Sequence, residues 1–361
     1  METNAKLLWF IGLYLILMIA LGIKYATEAK DSKDFVLAGS GLGVFTLVGT
    51  LVASWVGSGA ITGGGNSASY ASGLWIGVGW LVPTLIGMLF FYFVGPKIRK
   101  LGKITVAGII KERFGTTCAA LTSLVLIIAY LAMTSYQMKG FAFVLNITTG
   151  LDVTIGTWIA CVIIVGLAVM GGLKSVAPTD AWSAVIIVIG LVLAVPFSIK
   201  NAGGWSHIVA NLPENHLKPM GNADVMYLAG LYIPLLFLML GDSNLIQRIT
   251  ASKSEKELKK SRVIAITWVA LSLTAAVTIG VLGRAYLYPT ILGTEGAVSN
   301  ENVFIEMITK IFTVDYALPF IGGIFLCGIL AAIMSQVWIM RMRWRRMTCG
   351  LILPIITGVE R

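Results

Sequence analysis

Residues 50–65 read TLVASWVGSGAITGGG, with Gly57, Gly59, Gly63, Gly64 and Gly65 set into an otherwise apolar run. A glycine inside a helix costs about 1 kcal/mol relative to alanine, so this density predicts a helix that unwinds partway along its length. Close helix packing through small residues would use the same glycines without unwinding, and both readings stay open on the sequence. A phosphate-cradling loop needs a strand before it and a helix after it. A segment apolar enough to span a bilayer suits neither.

The surroundings of that stretch set its environment. Of 361 residues, 57% are hydrophobic and 12% charged, whereas a soluble domain carries roughly 25% charged residues. A helix needs about 20 apolar residues to cross the hydrocarbon core. Nine segments qualify, at roughly 7–25, 43–66, 74–95, 119–146, 153–171, 180–199, 227–246, 263–287 and 317–339. Backbone in lipid must satisfy its own hydrogen bonds, so these runs are helices. The expected fold class is therefore all-α, a polytopic membrane protein with residues 1–339 as its transmembrane core.

Charge placement orients it. The net charge is +10, but the basic residues lie in short runs between apolar stretches, which points to a lipid bilayer and not to nucleic acid. Twenty Lys and Arg fall in one alternating set of loops, from Lys24 through Arg248 to Arg346, against four (Lys6, Lys200, Lys218, Lys310) in the other. The positive-inside rule puts the rich loops and a basic tail over 340–361 in the cytoplasm of a cell-membrane protein, and the N-terminus outside. The first run, Leu7 to Ile23, is long for a signal sequence and is read as a retained span. Cys118, Cys161, Cys327 and Cys349 form no CxxC pair, so no disulfide framework or zinc site is indicated. HExxH, GxSxG, Walker and aspartate-rich diphosphate motifs are absent from the sequence, so an enzyme is not expected, nor a cofactor. A gradient must then drive any transport.

Segment 227–246 contains Gly230, Pro234 and Gly241-Asp242, a second interruption five spans after the first. Inverted-repeat transporters break their helices at such corresponding positions and bind cargo there. The chain here resembles the sodium:solute symporters, which include sugar and proline carriers. The matching stretches are Ala53-Ser-Trp-Val-Gly-Ser-Gly59, Gly171 to Asp180 (GGLKSVAPTD), Gly241 to Arg248 (GDSNLIQR) and Gly328 to Ser335 (GILAAIMS), in family order. The resemblance implies a LeuT-like bundle of two inverted five-helix repeats behind one extra helix. It implies sodium-coupled symport of a small organic solute, with sodium held by backbone oxygens of Ala53, Val56 and Ala332 and the hydroxyl of Ser335. Ser54, Trp55, Gly57, Ser58, Tyr136, Gln137 and Asp180 are the further candidates for solute or ion path. Trp55 and Ala60 stand where sugar carriers of the family have polar residues, which leaves organic acids, amino acids and vitamins as cargo.

The resemblance weakens after Ser335. Gln336 takes the place of a second family hydroxyl, and residues 337–347 do not match. The second repeat is then expected to be incomplete and the polypeptide as given not to transport. An inactive fragment, or a non-transporting membrane sensor or partner protein with the same fold, is the alternative.

Ionisable groups at depth are functional candidates. Asp180 follows Pro178-Thr179, so it is either a helix N-cap or a carboxylate on the sodium exit route. Asp242 and Arg248 could pair as a gate, or lie solvated at the interface. Lys139 and Arg284 are expected to snorkel, and His207 and His216 to be solvated loop residues.

Overall fold

A computed structural model describes residues 9–17, 20, 24, 38–56, 63–103, 105–170, 173–219, 223–288, 291–293, 299–315, 320–330 and 333. Regular structure among them is helical, and a single bridge pairs Leu42 with Ser252. The helices in chain order are α1 (9–17), α2 (Val44–Trp55), α3 (Gly65–Ser72), α4 (Leu74–Lys100), α5 (Val106–Thr149), α6 (Val153–Met170), α7 (Leu173–Asn201), α8 (Trp205–Ala210), α9 (Val225–Gly241), α10 (Ser243–Thr250), α11 (Glu255–Tyr286), α12 (Val303–Thr309) and α13 (320–330). Five stretches among the described residues are long and apolar enough to span a membrane, namely α4, α5, Ala177–Asn201 of α7, Val225–Thr250 and α11. The chain is an all-helical membrane bundle.

Two segments are each split into a pair of helices. α2 stops at Trp55, where Val56 takes a non-helical φ of −85° and ψ of 56°, and the next described helix, α3, starts at Gly65. The second split is one residue wide. Asp242 is extended at φ −68°, ψ 107°, between α9 and α10. Elsewhere helices outrun their apolar runs. α5 begins at Val106, where the Thr105 hydroxyl accepts from the Gly108 amide at 3.0 Å. Gly115, at φ 83° and ψ 177°, then lets the polar first turns bend away from the span.

α11 is the hub, packing on α2, α3, α4 and α7. Its contact with α3 is so close that a Cβ at Gly280 would collide with the Asn66 carbonyl and Ser69 Oγ. Ser69 Oγ also donates to the Val277 carbonyl at 2.8 Å, crossing between the two helices. In the same way, Gly49 of α2 lies against the Ala181 backbone of α7. Small residues at such crossings let backbones approach where lipid offers no hydrophobic drive for association. α13 packs on α7 through Gly328 against Ile186 and Ile187, and through the Phe325 ring at Gly190. Large apolar side chains such as Phe93, Trp158 and Val162 stay exposed on the outer surface, as a lipid-facing bundle requires.

Candidate functional site

A cavity of about 440 Å³ lies where the two split segments meet α4, α5 and α11. Ser54 and Trp55 reach it from the end of α2, and Gly63 from the stretch before α3. Leu235, Leu238 and Asp242 line it from α9 and the second break. Trp80 and Thr84 come from α4, Ala132, Met133, Tyr136 and Gln137 from α5, Leu273 from α11, and Glu301 from the turn before α12. Small-molecule sites run to about 300–1,000 Å³, mostly apolar with a few placed polar groups. This one fits that description. Tyr136 Oη lies so near the Gly63 backbone that any side chain there would displace it.

Of the residues singled out from the sequence, the structure gathers Ser54, Trp55, Tyr136 and Gln137 on this cavity. Ala53 and Val56 lie beside it in the last turn of α2, both fully buried. Ser54 Oγ also donates to the Thr50 carbonyl at 2.6 Å. Gly57, Ser58, Ala332 and Ser335 lie outside the described residues.

Asp180 belongs to a different arrangement. α7 already starts at Leu173, so Asp180 is two turns inside the helix and caps nothing. The Thr50 hydroxyl donates to its Oδ2 at 2.6 Å, and Arg248 Nη2 approaches the same oxygen at 3.4 Å. Arg248 Nε donates to Thr50 Oγ1 at 2.8 Å, closing a triangle that joins α2, α7 and α10. Arg248 is 0% exposed. It is therefore neither a solvated loop cation nor the partner of Asp242. Side-chain length and helix phase carry its guanidinium inward to Thr50 and Asp180. A buried charge is tolerated only when paired and hydrogen-bonded, as here.

Asp242 takes its hydrogen bonds elsewhere. Its Oδ1 accepts from Tyr130 Oη at 2.9 Å and from the Asn244 amide at 2.7 Å, so it caps α10. Lys139 does not simply reach for the interface, because its Nζ lies 3.7 Å from Glu301 Oε2. Arg284 stacks over the Tyr70 ring, its guanidinium carbon 5.4 Å from the centroid. His207 is exposed as expected, but His216 is buried against the α3–α4 junction, its carbonyl accepting from Leu74 N at 2.9 Å.

Where α2 begins and α10 ends, the two split segments are also tied through backbone. Leu42 N donates to the Ala251 carbonyl at 3.2 Å and Lys253 N to the Leu42 carbonyl at 2.9 Å. Glu257 Oε2 accepts from Val44 N at 3.1 Å.

Sequence reasoning missed Trp80, Thr84, Glu301 and Thr50. Trp80 and Thr84 sit on an unbroken span, where nothing in the pattern separates a cavity face from a packed one. Thr50 could have been found by asking what satisfies a threonine, an aspartate and an arginine all placed in apolar surroundings.

Comparison with known proteins gives this architecture its context. Residues 35–341 match the sequence profile of the Sodium:solute symporter family. The chain is 26% identical over 349 residues to a sodium/proline symporter of Staphylococcus aureus, and 27% identical over 350 residues to that of strain JH9. It spans 66% of the length of these relatives, which cover 93% of it. Its fold matches a sodium-coupled sialic acid symporter in a substrate-bound, outward-open state with a TM-score of 0.80 at 18% identity, covering 96% of this chain and 74% of that one.

Proposed function

The chain belongs to the sodium:solute symporter family, and from that premise we propose that it serves sodium-coupled symport of a small organic solute by alternating access. The observation that carries the reading is the 440 Å³ cavity bounded by both interrupted segments. Broken helices in such carriers offer backbone ends to ion and cargo near the bilayer midplane. In this reading the solute occupies the cavity against Ser54, Trp55, Tyr136 and Gln137, with Gly57 and Ser58 beside it. Sodium is held by the backbone oxygens of Ala53, Val56 and Ala332 and by the Ser335 hydroxyl. A small hard cation suits neutral oxygens, and an unwound backbone supplies them without burying another carboxylate. Asp180 lies on the ion path, where an entering sodium competes with Arg248 for the carboxylate. The basic loops face the cytoplasm and the N-terminus lies outside.

The driving force suffices. One charge crossing 100 mV gains about 2.3 kcal/mol, and a tenfold sodium gradient adds about 1.4 kcal/mol. Together they support on the order of 500-fold accumulation per coupled ion.

Sodium binding to the purified 361-residue protein tests the proposal without requiring flux. A ligand present at ten times its dissociation constant stabilises the state it binds by about 1.4 kcal/mol. Sodium should raise the unfolding temperature where potassium at equal ionic strength does not, and Ser335→Ala should remove most of that rise. Equal stabilisation by both cations would overturn the reading.

A further inference from the structure

The charged residues lining the cavity, among those described, are Asp242 and Glu301, both carboxylates. The stretch 57–62 that joins Trp55 to Gly63 reads GSGAIT and carries no ionisable side chain. Two cations on elements that border the cavity are already engaged. Arg248 is buried against Asp180 and Thr50, and Lys139 Nζ stands 3.7 Å from Glu301 Oε2. Glu301 thus has a counter-charge. Asp242, only 7% exposed, has none among the described residues. Both of its hydrogen bonds, from Tyr130 Oη and the Asn244 amide, fall on Oδ1. Oδ2 accepts no hydrogen bond among the described residues, and Asp242 lines the cavity.

A carboxylate held in apolar surroundings without a counter-ion is costly and rare. Capping α10 does not require that cost, because asparagine or serine caps a helix as well as aspartate does. The charge itself calls for another explanation. We infer that the transported solute carries a cationic nitrogen, a protonated or quaternary amine standing alone or as one end of a zwitterion, and that Asp242 is the residue that selects it. The rest of the lining agrees. Trp55, Trp80 and Tyr136 present aromatic rings to the same space, and aromatic faces attract ammonium groups, more strongly where water is excluded. A solute whose only charge is negative meets two carboxylates and, among the described lining residues, no cation.

This inference rests on the cavity being the solute site, and the test separates the two. Binding of small amines to the purified protein is followed by thermal shift and by tryptophan fluorescence, each amine paired with an isosteric analogue lacking the charge. The pairs are L-proline with cyclopentanecarboxylate, pyrrolidine with tetrahydrofuran, and choline with 3,3-dimethylbutan-1-ol. At least one amine should bind tenfold or more tightly than its partner, with sodium improving its affinity. Asp242→Asn keeps the cap and the acceptor for Tyr130 but removes the charge, so it should erase the preference while leaving the unfolding temperature nearly unchanged. Glu301→Gln should alter affinity less than threefold, because Lys139 already neutralises that end. Equal binding of amine and analogue, no amine binding at all, an unaltered preference in Asp242→Asn, or an equal loss in Glu301→Gln would each overturn the assignment. Amine selectivity without any sodium effect would uphold the role of Asp242 and count against sodium coupling. Sodium-dependent binding of uncharged analogues would do the reverse.

Discussion

The two split segments are broken by opposite means. The first has a helix that ends at Trp55 and another that starts at Gly65, with five glycines between Val56 and Asn66 in the sequence, and it brings Ser54, Trp55 and Gly63 to the cavity. The second is broken at one residue, and Asp242 caps the restarting helix and turns a charged side chain to the same space. Backbone ends offer neutral oxygens and amides, suited to a bare metal ion. A carboxylate offers full charge, suited to an organic cation. One cavity therefore has two kinds of wall, one polar but uncharged and one carrying a carboxylate.

The contrast also shows where the two segments depend on each other. Arg248 of α10 joins Thr50 of α2 and Asp180 of α7 in a buried triangle. Removing one partner of a buried ion pair strands the other and typically costs 3–5 kcal/mol. Arg248→Leu should therefore give the largest loss of thermal stability of any single change considered, read as a fall in unfolding temperature in detergent. Adding Asp180→Leu should recover most of it, since replacing both charges with apolar groups is often neutral. If the double variant is as unstable as the single one, the triangle is not the tie between the segments.

The next effect concerns α3, the second half of the first segment. A side chain at Gly280 would force α3 off α11, because its Cβ meets the Asn66 carbonyl and Ser69 Oγ. Overpacking of this kind costs about 1–3 kcal/mol. Gly280→Val should lower the unfolding temperature by a corresponding amount, and Gly280→Ala by less. If both variants melt with the wild type, α3 moves away from α11 without penalty.

The contrast bears equally on what the sequence could reveal. The first break was legible because glycine density has a direct backbone cost, and the apolar runs were legible because a bilayer enforces them. Gly241-Asp242 marked the second break, but not what Asp242 would do, since a cap and a cavity carboxylate look alike in one dimension. The burial of Arg248 is hidden in the sequence for a related reason. It lies at the end of an apolar run, where a basic residue ordinarily marks the water interface, and only the packing of α2, α7 and α10 around it takes it inside. Trp80, Thr84 and Glu301 come from parts of the chain without any break, so their convergence is a property of the tertiary fold.

Asp242 gives a smaller, sharper effect on stability. Replacing a capping side chain with alanine costs about 1 kcal/mol. Asp242→Ala should lower the unfolding temperature modestly, and Asp242→Asn should restore it without restoring charge. A large fall in both variants would mean that Asp242 holds the bundle together beyond its cap and its bond to Tyr130.

The smallest effect is a pH dependence at the junction of α3 and α4. His216 lies in the loop between α8 and α9, and burial pushes its ionisation below the ordinary histidine value. A weaker hydrogen bond with the Ser69 backbone pushes it upward, and the nearby Arg284 charge pushes it down again. In the unfolded chain the imidazole takes up its proton near pH 6.5, while in the folded protein it does so only at lower pH. The unfolded state therefore binds more protons in the interval between, and stability falls as pH falls there. The contribution is fully present above the unfolded value and is lost as pH drops through the folded one. Unfolding temperatures measured from pH 7.5 down to 5 should show this decline, and His216→Gln should flatten it. The same buried loop that packs at the end of α3 would then loosen in acid, whereas the segment broken at Asp242 has no histidine among its described residues. A decline of equal slope in the His216→Gln variant would place the acid sensitivity elsewhere in the bundle.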